Sequence, residues 1–187
     1  MNTYTTSTNL LKEWIRSKQG VYAASEENSA EDLAIIQNMG LSRKSILGCV
    51  CMDYGYILCG DRQIRLLGGT NPECLSLLEI NKMGNGCSAL KNLLIIANTS
   101  EGGIFAVYCG KRPYAEKGEV LYLPLNTFFW ERLNIGYADF TRWAVFSSAE
   151  NLQSGGWIEN CDHTFSMKKA DAFLKGKISI LKTFGFQ

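Results

Sequence analysis

The chain is poor in the residues that usually announce chemistry. It has one histidine, three prolines and a 20% charged share, against an ordinary share of ~25%. Its 19 basic and 18 acidic side chains nearly cancel, leaving a formal charge of +1. That balance provides no electrostatic footprint for nucleic acid. Apolar runs fall far short of the ~20 residues a spanning helix needs, so no membrane partner is expected. Residues 1–20 lack a basic start, an apolar block and a small-residue cleavage site. A secretory leader is therefore not expected, and the expected compartment is the cytoplasm.

Seven cysteines are present: Cys49, Cys51, Cys59, Cys74, Cys87, Cys109 and Cys161. None is spaced C-x-x-C, so neither a zinc knuckle nor a redox pair is legible, and no metal or cofactor is expected. An odd count in a leaderless chain favours reduced thiols. Most should act as small buried apolar groups. The single histidine, His163, follows Asn160-Cys161-Asp162. A Cys–His nucleophile pair needs a thiol beside it in space, and no base-orienting motif accompanies it. The stretch from Met83 to Lys91 carries Gly84 and Gly86 but lacks phosphate-loop spacing. No nucleophile elbow or H-E-x-x-H helix is present, and the carboxylates are too scattered for a glycosidase pair. No catalytic residue is assigned, and an enzyme is not expected.

What the chain does have is core material. Apolar residues make up 46%, with nine Phe, eight Tyr and four Trp. A chain of this length hides roughly 70% of its open surface on folding. One domain spanning 1–187 is expected, with no repeat, low-complexity tract or dividing linker. Ser7 opens a first helix with Leu10, Leu11, Trp14 and Ile15 at helical spacing, stopped by Gly20. Ser29 opens a second, with Asp32 as capping-box partner, Leu33, Ile36 and Met39 as its buried stripe and Gly40 at its end. Glu26, Glu27, Glu31 and Asp32 cluster where the helix dipole favours negative charge.

Short apolar runs then predict strands over 45–52, 54–60, 63–69, 93–98, 103–109, 119–124 and 127–133. Residues near Asp53 and the Gly60-Asp61-Arg62 stretch read as hairpin connections. Pro72 is placed to open a short helix through Cys74, Leu75 and Leu78, and 82–88 reads as a loop. A late helix follows Tyr137, with Asp139 in its first turn and Phe140, Trp143, Ala144 and Ser147 along one face. Residues 168–174 suggest a helix and 178–184 a final strand. The expected fold is α+β, an antiparallel sheet core with flanking helices at both ends. Trp130, Tyr137, Asp139, Phe140 and Trp143 are assigned architectural roles. The aromatic cluster Phe128, Phe129 and Trp130 is assigned to core packing rather than base stacking.

Several blocks carry a family resemblance, strongest over 44–147. They are Leu47-Gly48 with Tyr54-Gly55-Tyr56-Ile57-Leu58, read as a first hairpin, and Ile64-Arg65-Leu66-Leu67-Gly68-Gly69. Leu94-Ile95-Ile96-Ala97-Asn98 leads into Glu101-Gly102-Gly103-Ile104-Phe105-Ala106. Gly118-Glu119-Val120-Leu121-Tyr122-Leu123-Pro124 is followed by Trp130-Glu131 and Tyr137-Ala138-Asp139-Phe140-Thr141-Arg142-Trp143. Together they resemble a bacterial domain family of unknown function, similar in layout to the SUKH superfamily of immunity-type proteins. That resemblance implies an α+β fold and a non-enzymatic binding role toward a protein partner such as a toxin. The chain departs from it at Asn98-Thr99-Ser100, where relatives often carry an acidic pair, and over the last thirty residues.

Glu101, Gly102 and Gly103 are the candidate binding residues, because glycines permit close approach of another chain as readily as a tight turn. Two other readings stay open. One is a small hydrolase or thiol enzyme using His163 and a cysteine. The other is a structural domain with a housekeeping partner.

Overall fold

The computed structural model describes residues 3–60, 63–84, 90, 92–111, 115–124, 129–147 and 163–166. Its elements run α1 (Thr3–Ser17), β1 (Tyr22–Ala24), α2 (Ala30–Asn38), α3 (Ile46–Asp53), β2 (Tyr56–Cys59), β3 (Ile64–Leu67) and α4 (Leu77–Gly84). They continue β4 (Leu93–Thr99), β5 (Ile104–Tyr108), β6 (Glu119–Leu123), β7 (Phe129–Gly136), α5 (Tyr137–Phe146) and β8 (His163–Ser166). The eight strands form one sheet in chain order. Every neighbouring pair is antiparallel. The fold is α+β.

One row of residues in register crosses the sheet: Ala23, Ile57, Leu66, Ala97, Phe105, Tyr122, Glu131 and His163. Directly paired residues share a face. Phe105 lies 4.7 Å from Phe140, ring centre to ring centre, so this face looks toward α5. Helices α1, α3 and α5 pack on one another, α5 against β2, β6 and β7, and α3 against β3. Helix α2 leans on α3, whereas α4 lies against β4.

The run at 45–52 is a helix, not the expected strand, and this removes the hairpin expected at Leu47–Tyr56. Helix α3 is buried from Ile46 through Met52. A helix covered all round has no amphipathic alternation, so a short apolar run reads equally well as a strand. The deciding groups are local: the Ser45 hydroxyl accepts the Gly48 N–H at 3.1 Å and caps the helix. Gly48 is forced by close approach, since a Cβ there would meet the Ser42 carbonyl at 1.8 Å. Cys49 and Cys51 are buried on this helix. Residues near Asp53 connect helix to strand, and Gly60 and Gln63 flank the first true hairpin, β2–β3.

Other boundaries moved for identifiable reasons. The helix expected from Pro72 begins at Leu77, where Ser76 and Glu79 form a reciprocal cap. It runs to Gly84, taking in part of the expected 82–88 loop. Helices α3 and α4 therefore lie within the strand-rich middle as well as at its flanks. Helix α2 has the expected Ser29–Asp32 capping box, yet buries only Ile36 fully. Met39, expected in its buried stripe, is 41% exposed. Strand β1 pairs with β2 although its three residues show no sequence pattern. The elements expected over 168–174 and 178–184 lie outside the described residues.

Trp130 and Phe140 are wholly buried and Tyr137 nearly so. Asp139 is exposed in the first turn of α5, at the positive end of its dipole. Trp143 is only partly buried against the core, its ring 6.0 Å from that of Phe140. Truncation should rank accordingly. Trp130→Ala is expected to cost ~3–5 kcal/mol, and Trp143→Ala about 2 kcal/mol because part of its ring already meets water. Urea midpoints of the two variants check this order; a larger shift for Trp143→Ala would reverse the assignment of the buried face.

Candidate functional site

The expected binding residues sit in the β4–β5 turn, and the turn is closed from within. Thr99 donates its N–H to the Gly103 carbonyl at 2.9 Å, and Gly102 donates to the Thr99 carbonyl at 3.0 Å. The Thr99 hydroxyl accepts the Gly103 N–H at 2.8 Å. Both glycine N–H groups are thus engaged inside the hairpin. Gly102 has φ +84°, open to glycine alone without strain. Gly103 is required by its own chain: a Cβ would lie 2.5 Å from the Tyr122 hydroxyl oxygen. Glu101 projects into solvent at the tip. The Tyr122 phenol is pushed up to about 12 by burial, then by the negative charges of Glu131 and Glu101.

A second concavity, about 330 Å³, opens between β6 and β7 and is lined by Lys117, Glu119, Arg132 and Asn134 among others. Two of its charges, Arg132 and Glu119, are paired with each other. Arg132 donates to Glu119 from Nε and from its terminal nitrogen, each at 2.8 Å. The Glu116 and Asn134 N–H groups reach the same carboxylate at 3.0 and 3.3 Å. Burial by itself would raise the Glu119 carboxyl, but the Arg132 and backbone hydrogen bonds outweigh it and hold it below its usual range. This is a clamp across the β6–β7 irregularity.

Of the described thiols, Cys49, Cys51 and Cys59 are buried, Cys74 is half-buried and Cys109 is exposed. Cys51 and Cys59 are pushed up to about 12 by burial, and burial likewise raises Cys49. A nucleophilic thiol needs the opposite shift. His163 begins β8, opposite Glu131, while Cys87 and Cys161 lie outside the described residues. Among the described residues no group of three His, Cys, Asp or Glu is arranged to hold a metal. Among them, too, no helix is long and apolar enough to cross a membrane.

A larger concavity with exposed apolar walls lies between α2 and α4 over β4, with a volume of about 640 Å³. Ile35 and Met39 form one wall, Leu78 the other, and Leu93, Leu94 and Ile95 the floor. Ile35 and Met39 are 42% and 41% exposed, and Met83 on α4 is 46% exposed. The charged residues of the lining are Glu31, Asp32, Glu79 and Lys82, a sum of −2. Sequence reading does not reach this groove, because Met39 fits the buried stripe of the second helix and nothing in the sequence places Leu78 beside it. The available signals were the Ser76-x-x-Glu79 cap and a second apolar pair, Ile35 and Met39, off the Ile36 stripe.

Both walls are held by asparagines. Asn28 donates to the Cys51 carbonyl at 3.1 Å and accepts the Thr70 N–H at 2.9 Å, fixing the entry to α2 against α3 and the end of β3. Asp32 receives the Ser29 N–H and the Thr70 hydroxyl, at 3.0 and 3.1 Å. Its carboxyl is lowered, first by the Ser29 backbone bond. On the other wall, Asn81 donates to the Ile95 carbonyl and accepts the Ile95 N–H, both at 2.8 Å.

The model of the family described as "Protein of unknown function DUF2625" matches residues 1–173. The chain belongs to the DUF2625 family. No curated protein and no solved structure matches it. In this DUF2625 chain the family match extends beyond the 44–147 stretch, and takes in both walls of the groove.

Two measurements test the internal assignments. Gly103→Ala should destabilise by about 2 kcal/mol through overpacking. In a Tyr122→Leu background, which removes the obstructing ring end, that penalty should shrink. An unchanged penalty would place the constraint on Gly103 elsewhere. For Glu119, a depressed folded pKa adds stability that is complete above the unfolded carboxylate value and is lost as pH falls through the folded value. Glu119→Gln should therefore trail wild type by ~1–3 kcal/mol at neutral pH. The gap should close as the solution becomes more acid than the ordinary Glu range; a gap constant with pH would contradict the clamp.

Proposed function

We propose that this DUF2625 chain is a cytoplasmic, non-enzymatic protein-binding domain of the immunity type, whose partner is a bacterial toxin. Its binding face is the α2–α4 groove. The observation that carries this reading is the exposure of Ile35 and Met39 in the wall of one groove, with Met83 exposed on the same helix as Leu78. Large apolar side chains gathered in a concavity, with a charged margin, have the composition of a recognition surface. Met39 adds a flexible side chain that repacks around a partner. The similarity in layout to the SUKH superfamily supports the toxin as partner. The Gly-Gly turn does not line this groove, and its glycines are engaged within their own hairpin.

The test uses a toxin encoded beside this chain. Co-production should relieve the growth arrest the toxin causes, and Ile35→Asp with Met39→Asp should abolish the relief. Both positions are exposed, so the unfolding midpoint should move by no more than about 0.5 kcal/mol per site. Relief that survives both substitutions would remove the groove from the reading. An arrest that the unsubstituted chain does not relieve would remove the toxin.

A further inference from the structure

Resting on the groove as the binding face, the geometry points to its occupant: we infer that it is an amphipathic helix of the partner protein, with an apolar row flanked by lysines or arginines. Two features select that chemistry. The first is charge. Glu31, Asp32 and Glu79 stand around the apolar lining against Lys82 alone. Asp32 already holds Ser29 and Thr70, and Glu79 holds Ser76 through one oxygen. Each still contributes a negative charge at the margin, and Glu31 is exposed on α2. A basic flank meets attraction there, whereas an acidic flank meets repulsion that excludes it.

The second feature is the backbone of the floor. Strand β3 pairs with β4 only from Leu66–Ala97 outward to Ile64–Thr99. Ile95 is therefore past the reach of that ladder, and its outer N–H and carbonyl would form an open edge for an added strand. Asn81 occupies both groups. An extended segment laid in the groove would find no main-chain partner at Ile95. A helix satisfies its own backbone and needs only apolar contact, which Ile35, Met39, Leu78 and Leu94 supply. Its anchors would follow helical spacing along the trough between α2 and α4.

The probes are two amphipathic helical peptides with one shared leucine pattern, one bearing lysine and the other glutamate on the remaining positions. Binding is read by anisotropy of the labelled peptide and by shifts of the Ile35 methyls in the full chain. The lysine peptide is expected to bind about tenfold more tightly than the glutamate peptide, with the preference shrinking as salt rises. The double variant Glu31→Lys, Glu79→Gln is expected to erase or reverse that preference. Gln at 79 keeps the α4 cap, so the fold is retained. Equal binding of both peptides at Ile35 would overturn the basic-helix inference while leaving the groove reading intact. A preference unchanged in the double variant, or shifts that bypass Ile35, would overturn it too. Self-association that buries Ile35 and blocks both peptides would make a second copy the occupant and likewise overturn it. Failure of the groove reading has its own signature, toxin relief that survives the aspartate substitutions at Ile35 and Met39.

Discussion

The amide of Asn81 does the work of a missing strand. Strand β4 outruns its partner β3 by several residues, and at Ile95 the main chain would face an unpaired edge. Buried N–H and carbonyl groups left without partners are costly. Asn81 meets both with one side chain while its own Nδ2 also reaches the Leu77 carbonyl. The consequence is positional. Helix α4 is pinned along β4 at the irregularity between Ile95 and Ala97, rather than sliding across the sheet to meet α2. That contact helps fix one wall of the trough, and α2 forms the other.

The opposite wall is set by a different logic. Helix α3 is buried all round, and its Gly48 allows the Ser42 backbone to come close. Asn28 joins the end of that helix to Thr70 just before the Ser29 cap opens α2. Helix α2 is thereby aimed by groups outside itself. It buries Ile36 toward α3 and leaves Ile35 and Met39 facing the trough. A helix whose second apolar face is left exposed among the described residues retains unused burial energy, roughly 25 cal/mol per Å² of apolar surface. A partner's side chain realises it on docking.

Much of the sheet was legible because its strands are separated by turn chemistry. Gly102–Gly103 and the 111–118 connection bracket runs whose limits match β5 and β6 closely. The late helix was legible from Phe140 and Ala144, both wholly buried at helical spacing. Helix α3 was not, because uniform burial erases the periodicity that separates helix from strand. Strand β1 was not, because three residues, Tyr22–Ala24, are too few to alternate. The groove was hidden for a third reason. It depends on Met39 and Leu78, which are distant in sequence, and on asparagine amides whose partners are backbone groups with no sequence signature. By contrast, Glu101, Gly102 and Gly103 attracted notice as a motif, and the motif is explained by Thr99 and Tyr122.

Whether the trough stands open in solution is the point on which the account turns. Paramagnetic broadening of methyl resonances by a small uncharged gadolinium chelate measures it directly, since the effect falls steeply with distance from solvent. The account predicts strong broadening at Ile35, Met39 and Met83 and weak broadening at Ile36 and Ile80, which are 1% exposed. Ile35 and Met39 methyls as protected as that of Ile36 would mean the two helices close on each other, and the binding face proposed for this chain would not exist.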